Sequence, residues 1–288
     1  MSVTPKMVIH GGVGSLEGDP QRRITVHETL TLFLMESYPI LCDYDAWTAA
    51  VHCTRLLEDD PNFNAGTGSK LQKDGQVRMS ASLMDGRKNS FSAVINIENV
   101  RNPIEIAEKL SHEKHKVIAG DEANEYARKK GVKYFDPITP QRRREYEEKS
   151  TGQSGTVGVV ALDKAGNIVA ATSTGGMGYE LPGRVSDSAT VAGNYATKKA
   201  GLSCTGIGEH IVDMGVAVRV VSQVENGMPL NETVKKILKE AAQFRYKLGL
   251  VALDYLGNIE IGKTIDELFY AKHDSKSVTT FYSCQAFD

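Results

Sequence analysis

Short runs in which nearly every position is apolar alternate with longer stretches in which apolar residues recur every three or four positions. The first pattern reads as buried strand and the second as helix with one buried face. Lys6-Met7-Val8-Ile9-His10 is a short buried strand that stops at Gly11-Gly12-Val13-Gly14-Ser15. A helix is predicted from near Pro20, carrying Ile24, Leu30, Phe33 and Leu34 towards one side and ending before Pro39. A second has Asp45 as its N-cap and an apolar stripe of Trp47, Ala50, Val51, Thr54 and Leu57. Strands follow at 76–84 and 91–97 around a turn at Asp85-Gly86, then helices at 104–110 and 122–130, the latter stopped by Gly131. Pro137 and Pro140 mark the end of compact structure, and 141–149 is almost entirely charged, a solvated helix or disordered linker. Beyond it, Val160-Ala161-Leu162-Asp163-Lys164-Ala165-Gly166-Asn167-Ile168 is echoed by Val251-Ala252-Leu253-Asp254-Tyr255-Leu256-Gly257-Asn258-Ile259, both strand, tight turn, strand. Helices at about 209–224 and 231–246 lie between them. Strands at both ends and helices grouped between fit an α+β protein with stacked sheets and helical outer layers.

Composition narrows the function classes. A chain of 288 residues, 41% hydrophobic and 24% charged, makes one large domain or two small ones of soluble globular type. A net charge of −2 gives no electrostatic case for nucleic-acid or anionic-membrane binding. The longest apolar runs are strand-length, and the N-terminus lacks a basic region followed by an apolar core, so a cytoplasmic protein is expected. Cys42, Cys53, Cys204 and Cys284 form no C-x-x-C pair, which favours reduced thiols over a zinc site. His27 and His52 have no spaced partner and read as structural. The glycines after the first strand lack the Gly-Lys-Ser/Thr ending of a phosphate loop and the full dinucleotide pattern; they shape backbone close to another element. Glu58-Asp59-Asp60-Pro61-Asn62-Phe63-Asn64-Ala65-Gly66-Thr67-Gly68-Ser69 lacks the alternating carboxylates of a calcium loop, although its backbone carbonyls could hold a monovalent ion.

Candidate chemistry centres on Gly152-Gln153-Ser154-Gly155-Thr156-Val157-Gly158, where a small polar linker runs into a buried strand through a hydroxyl residue. Attack of the Thr156 hydroxyl on the Gly155 carbonyl would give an ester whose hydrolysis cuts the chain. The freed α-amine, with an ordinary pKa of about 7.7–8.0, would then serve as base for its own hydroxyl. Arg184 and Asp187, three apart on a Pro-Gly turn, offer a planar cation and a carboxylate to one small zwitterion. Thr205-Gly206 offers a hydroxyl and an unhindered N–H, the makings of an oxyanion hole. Taken singly, an Arg–Asp pair is a local salt bridge, Thr-Gly is a turn and Gly-Thr is a loop entering a strand.

Their joint order resembles the plant-type asparaginases, or isoaspartyl peptidase/L-asparaginases, among the N-terminal nucleophile hydrolases. The resemblance runs over roughly residues 7–262, through His10-Gly11-Gly12-Val13-Gly14, the loop from Leu57 to Gly66, Gly155-Thr156-Val157-Gly158, Thr172-Ser173-Thr174-Gly175-Gly176, Pro182-Gly183-Arg184-Val185-Ser186-Asp187-Ser188 and Thr205-Gly206-Ile207-Gly208-Glu209. It implies a four-layer αββα sandwich, with 1–155 an α subunit ending in a flexible linker and 156–288 a β subunit opening on the nucleophile. It implies Thr156 as nucleophile, Thr174 hydrogen-bonded beside it, and Thr205 with the Gly206 amide as oxyanion hole. Arg184 matches the carboxylate clamp, Asp187 with the Gly208 carbonyl the amine site, and Asn64 an active-site asparagine. Carbonyls of Leu57, Glu58, Asp60, Phe63, Ala65 and Thr67 align with a sodium-binding loop. No catalytic cofactor is implied beyond that structural ion, and the usual assembly is a dimer of cleaved protomers. The implied substrates are isoaspartyl dipeptides and L-asparagine; the alternatives are a glycosylasparaginase-like hydrolase or a weakly active homologue kept as a binding or scaffold protein. Departures from the family pattern fall at Ser80, Ser186, Ala189, the stretch 193–200 and the C-terminus from Lys263. They bear on substrate preference and turnover more than on the nucleophile.

Overall fold

The computed structural model describes residues 3–13, 20–149, 155–275 and 277–281. The first strand, β1, spans Lys6–Val13. It runs on through Gly11 and Gly12, where the sequence suggested a stop. A register shift against a later strand between His10 and Gly12 takes up the extra residue, so these glycines are edge-to-edge backbone instead of loop.

Helix α1 spans Pro20–Asp43 and α2 spans Ala46–Asp59. The expected end of α1 before Pro39 is not observed. Proline removes a single bond, to the carbonyl of Met35, and Met35 lies on the exposed face where water can replace it. Asp45 caps α2 as anticipated, its Oδ1 accepting the Thr48 N–H at 2.8 Å. Strands β2 (Met79–Asp85) and β3 (Ser90–Ile97) form the predicted hairpin, followed by α3 (Pro103–Leu110), the short β4 (Val117–Ala119) and α4 (Gly120–Lys129). The charged segment expected to be solvated or disordered contains a helix, α5 (Pro140–Glu147), whose Arg142 is buried. The linker residues 152–154 lie outside the described residues.

The second half holds β5 (Val157–Leu162), β6 (Ile168–Thr174), a single 3-10 turn at Asp187–Ala189, β7 (Asn194–Ala196) and β8 (Ala200–Gly206). After these come α6 (Gly208–Met214), α7 (Val216–Glu225), α8 (Leu230–Gln243), β9 (Leu248–Asp254), β10 (Ile259–Lys263), β11 (Leu268–His273) and β12 (Val278–Phe281). The helix predicted over 209–224 is two, because Gly215 turns left-handed at φ 57° and ends α6. The internal echo is real: β5–β6 and β9–β10 are antiparallel hairpins. Asp163 and Asp254 brace their turns in the same way, Oδ1 accepting the N–H of Asn167 and Asn258 at 2.9 Å in each.

Among the described residues the strands form one eight-stranded sheet, ordered β12-β11-β1-β5-β6-β2-β3-β4, and one four-stranded sheet, ordered β10-β9-β8-β7. The protein is therefore a mixed α/β structure with two sheets and attendant helices. Alternation along β5 shows how it is packed. Val157, Val159 and Ala161 join a core with Leu30, Leu57 and Ile104 of α1, α2 and α3. Val160 and Leu162 point the other way, into a core shared with Val251 and Leu253 of β9. A third core joins Leu202, Leu248 and Leu250 to Val220 and Ile237 of α7 and α8. No helix of the described residues is long and apolar enough to cross a membrane.

Candidate active site

Thr156 stands at the mouth of β5, in the middle of the larger sheet, and is almost fully buried. Its Oγ1 donates to Thr174 Oγ1 at 3.0 Å, at the end of the neighbouring β6. Thr174 Oγ1 also accepts the Gly176 N–H at 3.1 Å. Gly155, the residue before Thr156, is held from two sides. Its carbonyl accepts the Asn64 N–H at 3.4 Å, and a Cβ on Gly12, which has φ +97°, would lie 2.5 Å from Gly155 Cα. No side chain fits that approach, which accounts for glycine at position 12.

Asn64 is a hub. Its Nδ2 donates to the Gly176 carbonyl at 2.6 Å, its Oδ1 accepts the Lys70 N–H at 2.9 Å, and its own carbonyl accepts the Gly175 N–H at 2.8 Å. One residue thus sets both the Gly155 carbonyl and the Gly175-Gly176 turn that supports Thr174. Asn64, expected at the site, lies beside Gly155 and the turn after Thr174.

Arg184, Ser186, Asp187 and Gly208 meet in one corner. A Cβ on Gly208 would lie 2.9 Å from Arg184 Nη2, 2.9 Å from Asp187 Oδ1 and 3.0 Å from Ser186 Oγ, so only glycine leaves the corner open. Arg184 is not paired with Asp187. Its Nε and Nη2 donate to the two oxygens of Glu209 at 2.7 and 2.8 Å, and its Nη1 donates to Glu180 Oε2 at 2.7 Å. Asp187 Oδ1 accepts the Ser186 hydroxyl at 2.8 Å, whereas Oδ2 is buried without a partner. Burial raises the Asp187 carboxyl to about 7, against the opposing pull of the Ser186 hydroxyl and Arg184. Glu180 ties the corner to the turn that follows Thr174. Its Oε2 accepts the Met177 N–H at 2.8 Å, and its Oε1 lies where any side chain on Gly176 would have to go.

Thr205 is the penultimate residue of β8 in the smaller sheet, fully buried, with its Oγ1 unpartnered, and Gly206 ends the strand at φ +131°. A buried hydroxyl without a partner costs about 1–3 kcal/mol unless something arrives to bond it. His10 is wholly buried, its Nε2 2.8 Å from Ser203 Oγ, which is 2.7 Å from Thr172 Oγ1. Desolvation lowers the imidazole to about 3 despite the nearby Thr156 backbone, so His10 is a neutral partner of hydroxyls at ordinary pH. Glu58, at the end of α2, accepts the Ser173 hydroxyl at 2.6 Å and the Ile104 N–H at 3.0 Å. Burial raises its carboxyl to about 8, a protonated brace on Ser173, the residue before Thr174.

Among the described residues no cluster of three or more His, Cys, Asp or Glu side chains could hold a metal ion. The carbonyls aligned with a sodium loop are partly engaged: Glu58 O accepts Thr67 N–H at 2.7 Å, Asp60 O accepts Phe63 N–H at 3.2 Å and Phe63 O lies 3.5 Å from Arg142 Nη2. Neutral carbonyls with a second lone pair remain a donor set suited to a hard monovalent cation. Glu180 and Glu209 carry no role in the sequence reading. The i,i+4 spacing of Glu180 and Arg184 is the one signal in the sequence, and it does not tell a buried pair from a surface one; Glu209 is found only through the fold.

A family model described as asparaginase matches residues 3–154 and 143–282. The isoaspartyl peptidase/L-asparaginase of Synechocystis sp. is 42% identical over 296 residues, covering 96% of this chain and 90% of that protein. The protein of the same name from Rattus norvegicus is 37% identical over 254 residues, covering 81% and 74%. The plant-type L-asparaginase of Pyrococcus furiosus is 32% identical over 292 residues, covering 92% and 95%.

Proposed function

The chain belongs to the asparaginase family, and we propose that it hydrolyses isoaspartyl peptides and L-asparagine after cutting itself between Gly155 and Thr156. The reading is carried by one contact: the Thr156 hydroxyl at the Gly155 junction bonds a second threonine, while Asn64 and Gly12 hold Gly155 against it. In the intact chain Thr156 Oγ1 attacks the Gly155 carbonyl carbon. The C–N bond breaks, the nitrogen takes the hydroxyl proton and becomes an amine, and water then hydrolyses the ester to leave a Gly155 carboxylate. Thr156 now carries both nucleophile and base.

A β-aspartyl substrate would place its α-ammonium and α-carboxylate in the Arg184–Asp187–Gly208 corner and its side-chain carbonyl before Thr156. The hydroxyl adds to that carbonyl, and the α-amine of Thr156 takes the proton. Thr205 Oγ1 and the Gly206 N–H stabilise the oxyanion, which gives the buried hydroxyl its missing partner. The leaving amine departs with a proton, and water releases aspartate from the β-aspartyl ester on Thr156.

The three hydrophobic cores support the finer architecture, a four-layer αββα sandwich split into α (1–155) and β (156–288) subunits. A sodium ion on the carbonyls of Leu57, Glu58, Asp60, Phe63, Ala65 and Thr67 would brace the loop bearing Asn64 and take no part in bond making. Unpaired Cys42, Cys53 and Cys204 support a cytoplasmic setting. The homodimer of cleaved protomers rests on family membership. Release of aspartate from a β-aspartyl dipeptide by the purified, cleaved protein tests the activity; none at any pH would overturn it.

A further inference from the structure

The corner that would read the substrate's α-groups carries more acid than a zwitterion requires. One guanidinium, Arg184, faces three carboxyl groups: Glu180, Glu209 and Asp187. Three of its N–H donors are already committed, two to Glu209 and one to Glu180. The two glutamates differ in consequence. Glu209 has a side chain 55% exposed, so water screens it. Glu180 is only 7% exposed and is fixed independently of Arg184, by Gln72 Nε2 at 3.0 Å and the Met177 N–H at 2.8 Å. Its charge therefore stays in the corner whatever Arg184 does.

The two halves of a substrate head meet this field differently. An incoming α-carboxylate finds a guanidinium whose charge is already offset more than once, and like charge beside it. An incoming α-ammonium finds the Glu180 and Glu209 carboxylates and an unpartnered Asp187 Oδ2 in the same buried carboxyl, which offset the repulsion of Arg184 and of Lys70 beside Glu180.

We propose, on the reading that this corner binds the substrate head, that the protein selects its substrates by the α-ammonium and tolerates a neutral α-carboxyl. Its substrate class then includes β-aspartyl compounds whose α-carboxyl is amidated. Glu180 is the residue that sets this preference, acting through Arg184.

Equilibrium binding to the cleaved protein tests it without relying on turnover. L-aspartate, its α-amide L-isoasparagine and succinate, which lacks the amine, are titrated against wild type and Glu180→Gln, followed by ligand NMR. In the wild type the α-amide should bind within tenfold of aspartate, and succinate at least tenfold more weakly than aspartate. Glu180→Gln, which keeps the shape and removes the charge, should favour aspartate over the α-amide by a further threefold or more. A tenfold or greater loss for the α-amide, an unchanged ratio in Glu180→Gln, or binding of none of the three would overturn the proposal. Absence of hydrolysis alongside the expected binding order would instead overturn the proposed activity. The wild-type comparison stands even if the variant does not fold.

Discussion

At Asp187 a carboxyl group is buried with one oxygen bonded to Ser186 and the other to nothing, and burial holds it near 7. Above that value it is the anion an α-ammonium needs; below, it is neutral. Affinity for L-aspartate should therefore fall as pH drops through about 7, and Asp187→Asn should bind weakly with no such transition, as read by ligand titration across pH 5–9. The same shift acts on folding with the opposite slope, since the folded state holds this proton more tightly than the unfolded one: the group's stabilising contribution is complete below the ordinary carboxyl range and is lost as pH rises to 7. Gly12 gives a second test at this scale. Gly12→Ala puts a methyl 2.5 Å from Gly155 Cα at a φ of +97°, and should slow chain splitting at least tenfold on a gel time course. Much of the site was legible because motif order marks Thr156, Thr174, Arg184, Asp187 and Thr205 as chemistry-bearing. Glu180 was not, since an acid four residues from an arginine looks like any surface pair until burial is known.

Among the elements, the hydrophobic period located α2, β2, β3, α3 and both hairpins, all of which bury a regular face. It failed where tertiary contact outweighs local preference. Helix α1 passes through Pro39 because the lost bond falls on the wet side. Helix α5 has almost no apolar face to detect, yet it docks through a cation. Arg142 is 4% exposed, donates through Nη1 to both oxygens of Glu145 at 3.0 and 2.8 Å, and through Nε to the Gly68 carbonyl at 2.5 Å. Tyr146 adds a bond to the Lys73 carbonyl at 3.1 Å. The charged segment thus clamps the loop carrying Asn64. Arg142→Ala leaves the Gly68 carbonyl without its charged donor and should cost about 2–4 kcal/mol. Thermal unfolding should record a midpoint lower by roughly 5 °C or more, with slower self-cleavage if the loop loosens.

For the whole molecule, the two sheets carry different parts of the chemistry. The larger brings Thr156 and Thr174 side by side on β5 and β6, and the smaller ends β8 in Thr205-Gly206 just before α6 begins at Gly208. That division was not readable from the sequence, because strand order and sheet membership depend on pairings between residues as distant as His10 and Tyr270. The proposed cut would leave the larger sheet paired, since β5 is bonded to β1 and β6 on either side beyond the Gly155–Thr156 bond. The central claim is that Thr156 is the nucleophile that opens this bond. N-terminal sequencing of the fragments of the purified chain tests it most directly, with no protease added. The account predicts two pieces of about 17 and 15 kDa from their shares of the sequence, the smaller beginning Thr156-Val157-Gly158, and a single inactive chain for Thr156→Ala. A fragment starting at any other residue, or an uncut chain with full activity, would contradict it.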